Sequence, residues 1–452
     1  MIKRELDTFL DNFYVESNRK ALLLIGARQV GKTYAFRNLA KRSFKHYIEI
    51  NFIKTPSAVS IFENAKDAAQ ILLRLSAFTK EEMVPGETLI LFDEVQMCPE
   101  AVTQIKFLVE EGSYRYGLTG SLLGVELKNL RSEPVGYMDI QNVYPLSLKE
   151  FSKAIGVSDL VLNELKAAFD NQRPVDEVVH RQMMSVVGLY QIVGGMPQAV
   201  NTYLESNNIQ KVVAEQRAII NLYKRDIAQY DPDEKLYLDE IFDLIPSELN
   251  AKNKRFILKR LNEHFKFSRY RNSFVWLKKA GVALPAYNVT EPCPPLRLNE
   301  ERNLFKLFQS DVGLLAYQYA GGIQMDILSG RLNINYGAVY ENLVAQELTC
   351  KDYSLYYFNS KKLGEIDFVL DDGQGGIVPI EVKSGKDYYV HNALDNVMKV
   401  KNYQIDKGYV LCNDNLTVDG SVVNLPIYMI MFFKKRENTL TEFKLDLSAL
   451  IG

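Results

Sequence analysis

The chain has 452 residues, 47% apolar and 24% charged, with a formal net charge of −2 and a pI near 6.2. That length is too great for one ordinary core and predicts roughly two to four domains of a soluble globular protein. The balanced charge excludes a global pull toward nucleic acid and leaves only a local basic surface open.

Cys98, Cys293, Cys350 and Cys412 are scattered without a CxxC pair. This pattern excludes a disulfide scaffold and a cysteine zinc site, and it suits a reducing, cytoplasmic setting. The charged start, Met1 to Asp11, lacks a signal-peptide core. No apolar run reaches the ~18 residues of a membrane span, so no membrane partner is expected.

In chain order, Leu6 to Tyr14 reads as a short helix and Ala21 to Ile25 as an apolar strand. Gly26-Ala27-Arg28-Gln29-Val30-Gly31-Lys32-Thr33 follows, a complete GxxxxGK[ST] loop, and Tyr34 to Lys41 continues as a helix. Strand, loop and helix in that order surround phosphates with backbone N–H groups and the positive end of the helix. Lys32 is expected on the β- and γ-phosphates and Thr33 on Mg²⁺. The ligand is a nucleoside triphosphate, ATP, with Mg²⁺.

His46 to Phe52 predicts a second strand and Asn64 to Leu75 a helix. Thr88 to Phe92 is a β-prone strand ending in Asp93-Glu94. At that strand end Asp93 would hold Mg²⁺ through water, and Glu94 could polarise the attacking water. A helix around Ala101 to Glu110 precedes a strand from Tyr114 to Leu118, which runs into Thr119-Gly120-Ser121. Ser121 could sense the γ-phosphate. Val135 to Val143 reads as a further strand. The alternation predicts an α/β fold with a parallel sheet covered by helices on both faces.

Beyond Pro145 to Phe151 long helical patterns dominate to about residue 280, interrupted by Gly194-Gly195-Met196-Pro197. Pro197 suits an early position of the next helix. Ile257 to Phe265, Tyr270 to Ala280 and a strand from Val282 to Tyr287 have the order of a winged-helix module. Arg255, Lys259, Arg260, Lys266, Arg269, Arg271, Lys278 and Lys279 make it basic, so it either enters DNA or simply solvates its surface. After Glu291-Pro292-Cys293-Pro294-Pro295 the chain turns mixed α/β. The expected units are a P-loop core at 1–150, a helical lid at 151–215, a helical and winged-helix-like module at 216–295, and a C-terminal domain at 296–452.

In that last unit Glu365 to Leu370 and Ile377 to Lys383 read as antiparallel strands joined by Asp371-Asp372-Gly373. Alternation puts Glu365, Asp367 and Val369 on one face, and Glu381 and Lys383 on one face of the return strand. Asp367, Glu381 and Lys383 can then converge, with Glu341 approaching from a helix over Val339 to Leu348. Two carboxylates and a lysine can hold Mg²⁺ or Mn²⁺ and cleave a phosphodiester. They can equally solvate a sheet face.

These motifs together resemble those of prokaryotic AAA-type ATPases whose P-loop domain is followed by a DUF4143-like domain. The resemblance rests on residues 26–33, Leu91 to Gln96, Thr119-Gly120-Ser121, Tyr144 to Phe151, Gly194 to Pro197 and Tyr223 to Ile227. It implies an ATPase that works as an oligomer or with a partner. The C-terminal pattern Glu341, Asp367, Glu381-x-Lys383 resembles the restriction-endonuclease-like fold of Holliday-junction resolvases and implies a nuclease-like site. Relatives carry a Gly-Arg pair where this chain has Gly136-Tyr137; Arg131 is the nearest local substitute. The function expected is Mg²⁺-dependent ATP hydrolysis coupled to DNA or a protein partner through the C-terminal half. The alternative is a non-enzymatic, ATP-controlled interaction switch with a degenerate nuclease-like domain.

Overall fold

The computed structural model describes residues 2–15, 19–121, 136–230, 235–251, 253–257, 267–319, 336–385 and 389–435. The first part contains α1 (Glu5–Val15), β1 (Ala21–Gly26), α2 (Lys32–Ser43), β2 (His46–Asn51), α3 (Ala68–Phe78), β3 (Thr88–Asp93), α4 (Pro99–Glu111), β4 (Arg115–Ser121) and β5 (Met138–Asn142). Its strands pair in parallel in the order β2-β3-β4-β1-β5.

The near-continuous apolar runs of β1 and β3 follow from burial of both sheet faces. Leu22, Leu24, Leu89 and Leu91 enter the core beneath α1 and α2, with Leu10, Phe36 and Leu39. Leu23, Ile90, Phe92 and Leu118 pack on the other side with Ile71, Leu75, Ile105 and Leu108 of α3 and α4. The third helix starts later than its apolar pattern suggests. Asp67 caps it by accepting from Gln70 N, and Asn64 stands outside it at φ 53°.

The helical stretch comprises α5 (Leu148–Ala154), α6 (Asp159–Asp170), α7 (Glu177–Val193), α8 (Pro197–Ser206), α9 (Ile209–Tyr230), α10 (Lys235–Asn250) and α11 (Phe267–Lys279). Ser147 and Glu150 form a reciprocal capping box at α5. Then come β6 (Ala283–Val289), β7 (Glu300–Gln309), α12 (Val312–Gln318), a helix at Tyr336–Thr349, β8 (Tyr356–Ser360), β9 (Gly364–Ile366), β10 (Phe368–Asp371) and β11 (Ile377–Val382). A helix at Asn392–Met398, β12 (Gly408–Cys412), β13 (Thr417–Asp419) and β14 (Val422–Pro426) complete the described elements.

The C-terminal sheet is mixed, in the order β10-β11-β12-β14-β13, with its outer pairs antiparallel and its inner pairs parallel. A second sheet, β7-β6-β8-β9, runs beside it. In that sheet β6, which precedes the proline cluster, pairs with β7 and β8, which follow it. Much of the basic module, including Lys259, Arg260 and Lys266, lies outside the described residues, as does Arg131.

The strand expected over Glu365 to Leu370 is broken at Asp367 into β9 and β10. The alternation resets there. Ile366 and Val369 enter one core, and Phe368 and Leu370 enter the other. Glu365, Asp367 and Val369 therefore do not share a single strand face as uninterrupted alternation would have it. One core spans the molecule: Leu22 of the parallel sheet, Tyr190 of α7, Leu277 of α11 and Ile380 of the mixed sheet all belong to it.

Candidate functional site

The phosphate loop leaves the C-terminal end of β1 and turns sharply into α2. Two glycines make that turn. At Gly26 (φ 151°) a Cβ would sit 2.2 Å from Val143 O, and Gly31 takes the left-handed φ of 97°. Gln29, at φ 65°, adopts the same region without being glycine. Arg4 fastens the loop from outside, donating to Val30 O at 2.8 Å and Tyr144 O at 2.8 Å while pairing with Glu150.

Lys32 is buried and donates to Gly26 O at 2.9 Å and Ala27 O at 2.8 Å. Burial brings its ammonium down to about 8, against the upward pull of Glu94 and Asp93. Thr33 Oγ1 donates to Asp93 Oδ1 at 2.7 Å, so two hard oxygen atoms from different elements meet. That is the donor type Mg²⁺ takes. Asp93 is 2% exposed. Asp93 Oδ2 accepts from Asn51 Nδ2 at 2.5 Å, and the Thr119 hydroxyl donates to Oδ1 beside Thr33.

Glu94 stands at φ 60°, a left-handed backbone rare for a non-glycine residue and frequent at functional turns. Its backbone N–H donates to Thr119 Oγ1 at 3.2 Å. Gln96 Nε2 donates to Glu94 Oε2 at 2.5 Å and reaches Ser121 Oγ at 3.5 Å, joining two strand ends. Arg28, Lys32, Thr33 and Glu94 line a cavity of about 740 Å³, together with Pro197 of α8 and Leu222 of α9. Tyr137, at the departure noted in the sequence, donates to Glu110 Oε1 at 2.6 Å.

A second constellation lies in the C-terminal half. Asp367 accepts from Val382 N at 2.9 Å, and Glu381 pairs with Lys383 at 2.9 Å while accepting from Leu394 N at 3.1 Å. Glu341, 1% exposed, comes in from its helix. The four expected residues are thus in one region. What lies among them was not expected. Lys306 of β7, fully buried, places Nζ 2.8 Å from Glu365, 3.4 Å from Glu341 and 3.6 Å from Asp367. Lys254 pairs with Glu341 from the opposite side.

Burial pulls the Lys306 ammonium down, but Glu341, Asp367 and Glu365 outweigh it and hold the charge in place. Burial likewise favours a neutral Asp367, yet Lys306 and Lys254 keep it below the usual carboxylate range. Glu341 is pushed up, first by burial and then by Asp367. Among the described residues no group of three or more His, Cys, Asp or Glu side chains is arranged to hold a metal ion. Of the two carboxylates expected to hold Mg²⁺ or Mn²⁺, Asp367 has the Lys306 ammonium beside it and Glu381 has Lys383.

Comparison with known proteins identifies the domain that carries the first of the two sites. Residues 18–152 match the family model of an AAA domain. This segment is an AAA-type P-loop ATPase domain. Residues 187–324 match a domain of unknown function, DUF8612, and residues 336–429 a separate one, DUF4143. No curated protein matches the chain. Among solved structures, the Walker-type ATPase of Pyrococcus abyssi is similar at TM-score 0.42 and 14% identity, covering 71% of this chain and 96% of that one. The Orc1 protein of Aeropyrum pernix, solved in complex with DNA, is similar at TM-score 0.27 and 13% identity, covering 73% and 95%. Likeness this loose says nothing about function.

In the AAA domain, sequence reading named Lys32, Thr33, Asp93, Glu94 and Ser121 but not the residues that fix them. Asn51 was visible only as a polar strand end, and Gln96 only as two residues beyond Glu94. Lys306, in the segment that matches DUF8612, had a stronger signal. It is the lone charge inside Phe305-Lys306-Leu307-Phe308, where a lysine must be buried and paired.

Proposed function

We propose that the chain is a Mg²⁺-dependent ATPase whose AAA domain drives a binding, non-cleaving C-terminal half. The observation that carries the reading is the 2.7 Å contact between Thr33 and Asp93 beside Glu94, at the mouth of the phosphate loop. Thr33 and Asp93 would hold Mg²⁺, which would supply charge neutralisation at the β- and γ-phosphates of ATP. Lys32 leaves its carbonyl partners for the phosphates. Glu94 orients water in line with the γ-phosphate, and Gln96 fixes the Glu94 carboxylate. Ser121 faces the same end of the sheet through Gln96 and senses the γ-phosphate.

The middle module between α10 and β7 is winged-helix-like in element order, and the C-terminal domain is restriction-endonuclease-like. Glu341 on a helix, Asp367 just before a strand and Glu381-x-Lys383 at the end of the next strand follow that fold's order. The position of Lys306 favours a degenerate centre that binds a DNA or protein partner without cutting it. The four-unit division at 150, 215 and 295 remains part of this proposal.

The test is phosphate release by the full chain with Mg²⁺ and ATP, at fixed salt, with and without double-stranded, branched and single-stranded DNA. Glu94→Gln should bind ATP and lose turnover by roughly 10² or more, the scale of a lost general base. Undiminished turnover would remove Glu94 from its role. Stimulation by DNA would identify the partner as nucleic acid, whereas slow turnover with no DNA affinity would favour an ATP-controlled interaction switch.

A further inference from the structure

Arg28 occupies the third position of the phosphate loop and lines the same cavity as Lys32, Thr33 and Glu94. Its Nη1 meets Asp226 Oδ1 of α9 at 2.9 Å. The pair is incomplete on both sides: Arg28 Nε and Asp226 Oδ2 are buried with no hydrogen-bond partner. Guanidinium and carboxylate normally meet through two parallel bonds, and a buried polar atom left unpaired costs about 1–3 kcal/mol. The Asp226 side chain is only 6% exposed, so little water can make up the loss. Tyr223, one turn earlier in α9, donates its hydroxyl to Arg28 O at 3.2 Å. The same helix therefore grips the backbone and the side chain of one loop residue.

We propose that Arg28 answers the terminal phosphate of ATP: the γ-phosphate takes the guanidinium from Asp226, so that ATP, unlike ADP, loosens the phosphate loop from α9. The proposal rests on the ATPase reading and adds to it the residue that distinguishes ATP from ADP. The physical grounds are local. Arginine carries permanent charge on a planar fork that fits two phosphate oxygens, whereas Asp226 engages the fork through one bond only. Arg28 is close enough to Lys32 for its charge to disfavour the lysine ammonium, so both cations already share one small volume. Adding phosphate there relieves their repulsion. Asp226, which also faces Glu94 and Arg225, is the group left behind, and burial already favours its neutral form. Because Asp226 lies on α9, the exchange is felt in the helical region and not only at the nucleotide.

The experiment compares Mg²⁺-ATP and Mg²⁺-ADP affinities of the wild type, Arg28→Ala, Arg28→Lys and Asp226→Asn by calorimetry, with a thermal melt of each to confirm folding. Arg28→Ala should lose roughly tenfold or more of the preference for ATP over ADP, the weight of a charge-assisted hydrogen bond. Arg28→Lys, which keeps the charge but not the fork, should recover part of it. Asp226→Asn, which removes the competitor, should increase the preference. Equal changes in both affinities, or an Arg28→Ala protein with its discrimination intact, would overturn the proposal while leaving an active ATPase standing. A wild type that binds neither nucleotide would overturn the ATPase reading and the proposal together.

Discussion

Lys32 illustrates how burial tunes a single residue. With its ammonium brought down to about 8, it is half protonated near pH 8 in the free chain. Phosphate oxygens favour the charged form, so ATP binding near pH 8 should draw a proton from solution. Calorimetric titrations in two buffers of different ionisation enthalpy check this. The apparent binding enthalpy should differ between buffers near pH 8 and converge near pH 6, where Lys32 is already charged. Equal enthalpies at pH 8 would mean that the ammonium is not displaced toward phosphate. The motif identified Lys32 from sequence because spacing alone defines the loop. The lowered pKa was not legible there, because it arises from burial of the ammonium within the folded loop.

Elements meet at a single buried carboxylate, Asp311. It caps α12 by accepting from Leu314 N at 3.0 Å and holds the turn between α7 and α8 by accepting from Gly195 N at 2.6 Å. Burial raises it to about 6, while those N–H groups pull it back down. The folded value lies above the unfolded one, so the folded chain binds the proton more tightly. Its contribution is fully present below about pH 3.8 and is lost as pH rises through about 6, a span worth on the order of 3 kcal/mol. Melting temperatures of wild type and Asp311→Asn between pH 5 and pH 7 isolate this term. The wild type should lose stability relative to the variant as pH rises. Parallel curves would contradict the assignment.

At this scale the sequence was readable where a period or a cap is local. The β1 and β3 runs, the Pro197 start of α8 and the Ser147–Glu150 box are such places. It was not readable at Asp367, where a bend resets the strand alternation. Nor did it give Asp311, whose partners Gly195 and Gln346 are far away in the chain.

For the whole molecule, the shared core and the contacts of the phosphate loop link the two halves. Gly281, in the turn between α11 and β6, packs so close that a Cβ there would lie 3.2 Å from Ala27 N. Residues from well beyond the AAA domain thus touch the nucleotide loop, as Tyr223 and Asp226 also do. At the other end, Lys306 pairs with Glu341, Glu365 and Asp367, and Lys254 adds a second positive charge at Glu341. Removing it takes the contacting cation from Glu365 and Asp367 and leaves the buried Glu341 to Lys254, so Lys306→Ala should destabilise the fold, at most by the roughly 3–5 kcal/mol of a broken buried pair. It should also create a demand for a cation: Mn²⁺ should raise the melting temperature of Lys306→Ala more than that of the wild type. A larger wild-type response would mean that the acidic centre already takes metal beside Lys306.

The central claim is that ATP is hydrolysed with Mg²⁺ at the loop formed by Gly26 to Thr33. Its most direct test is steady-state phosphate release by the full chain, with and without Mg²⁺, set beside Lys32→Ala. Turnover that requires Mg²⁺ and disappears in Lys32→Ala is the predicted result. Undiminished hydrolysis by Lys32→Ala, or a folded wild type that releases no phosphate from ATP with Mg²⁺, would contradict it.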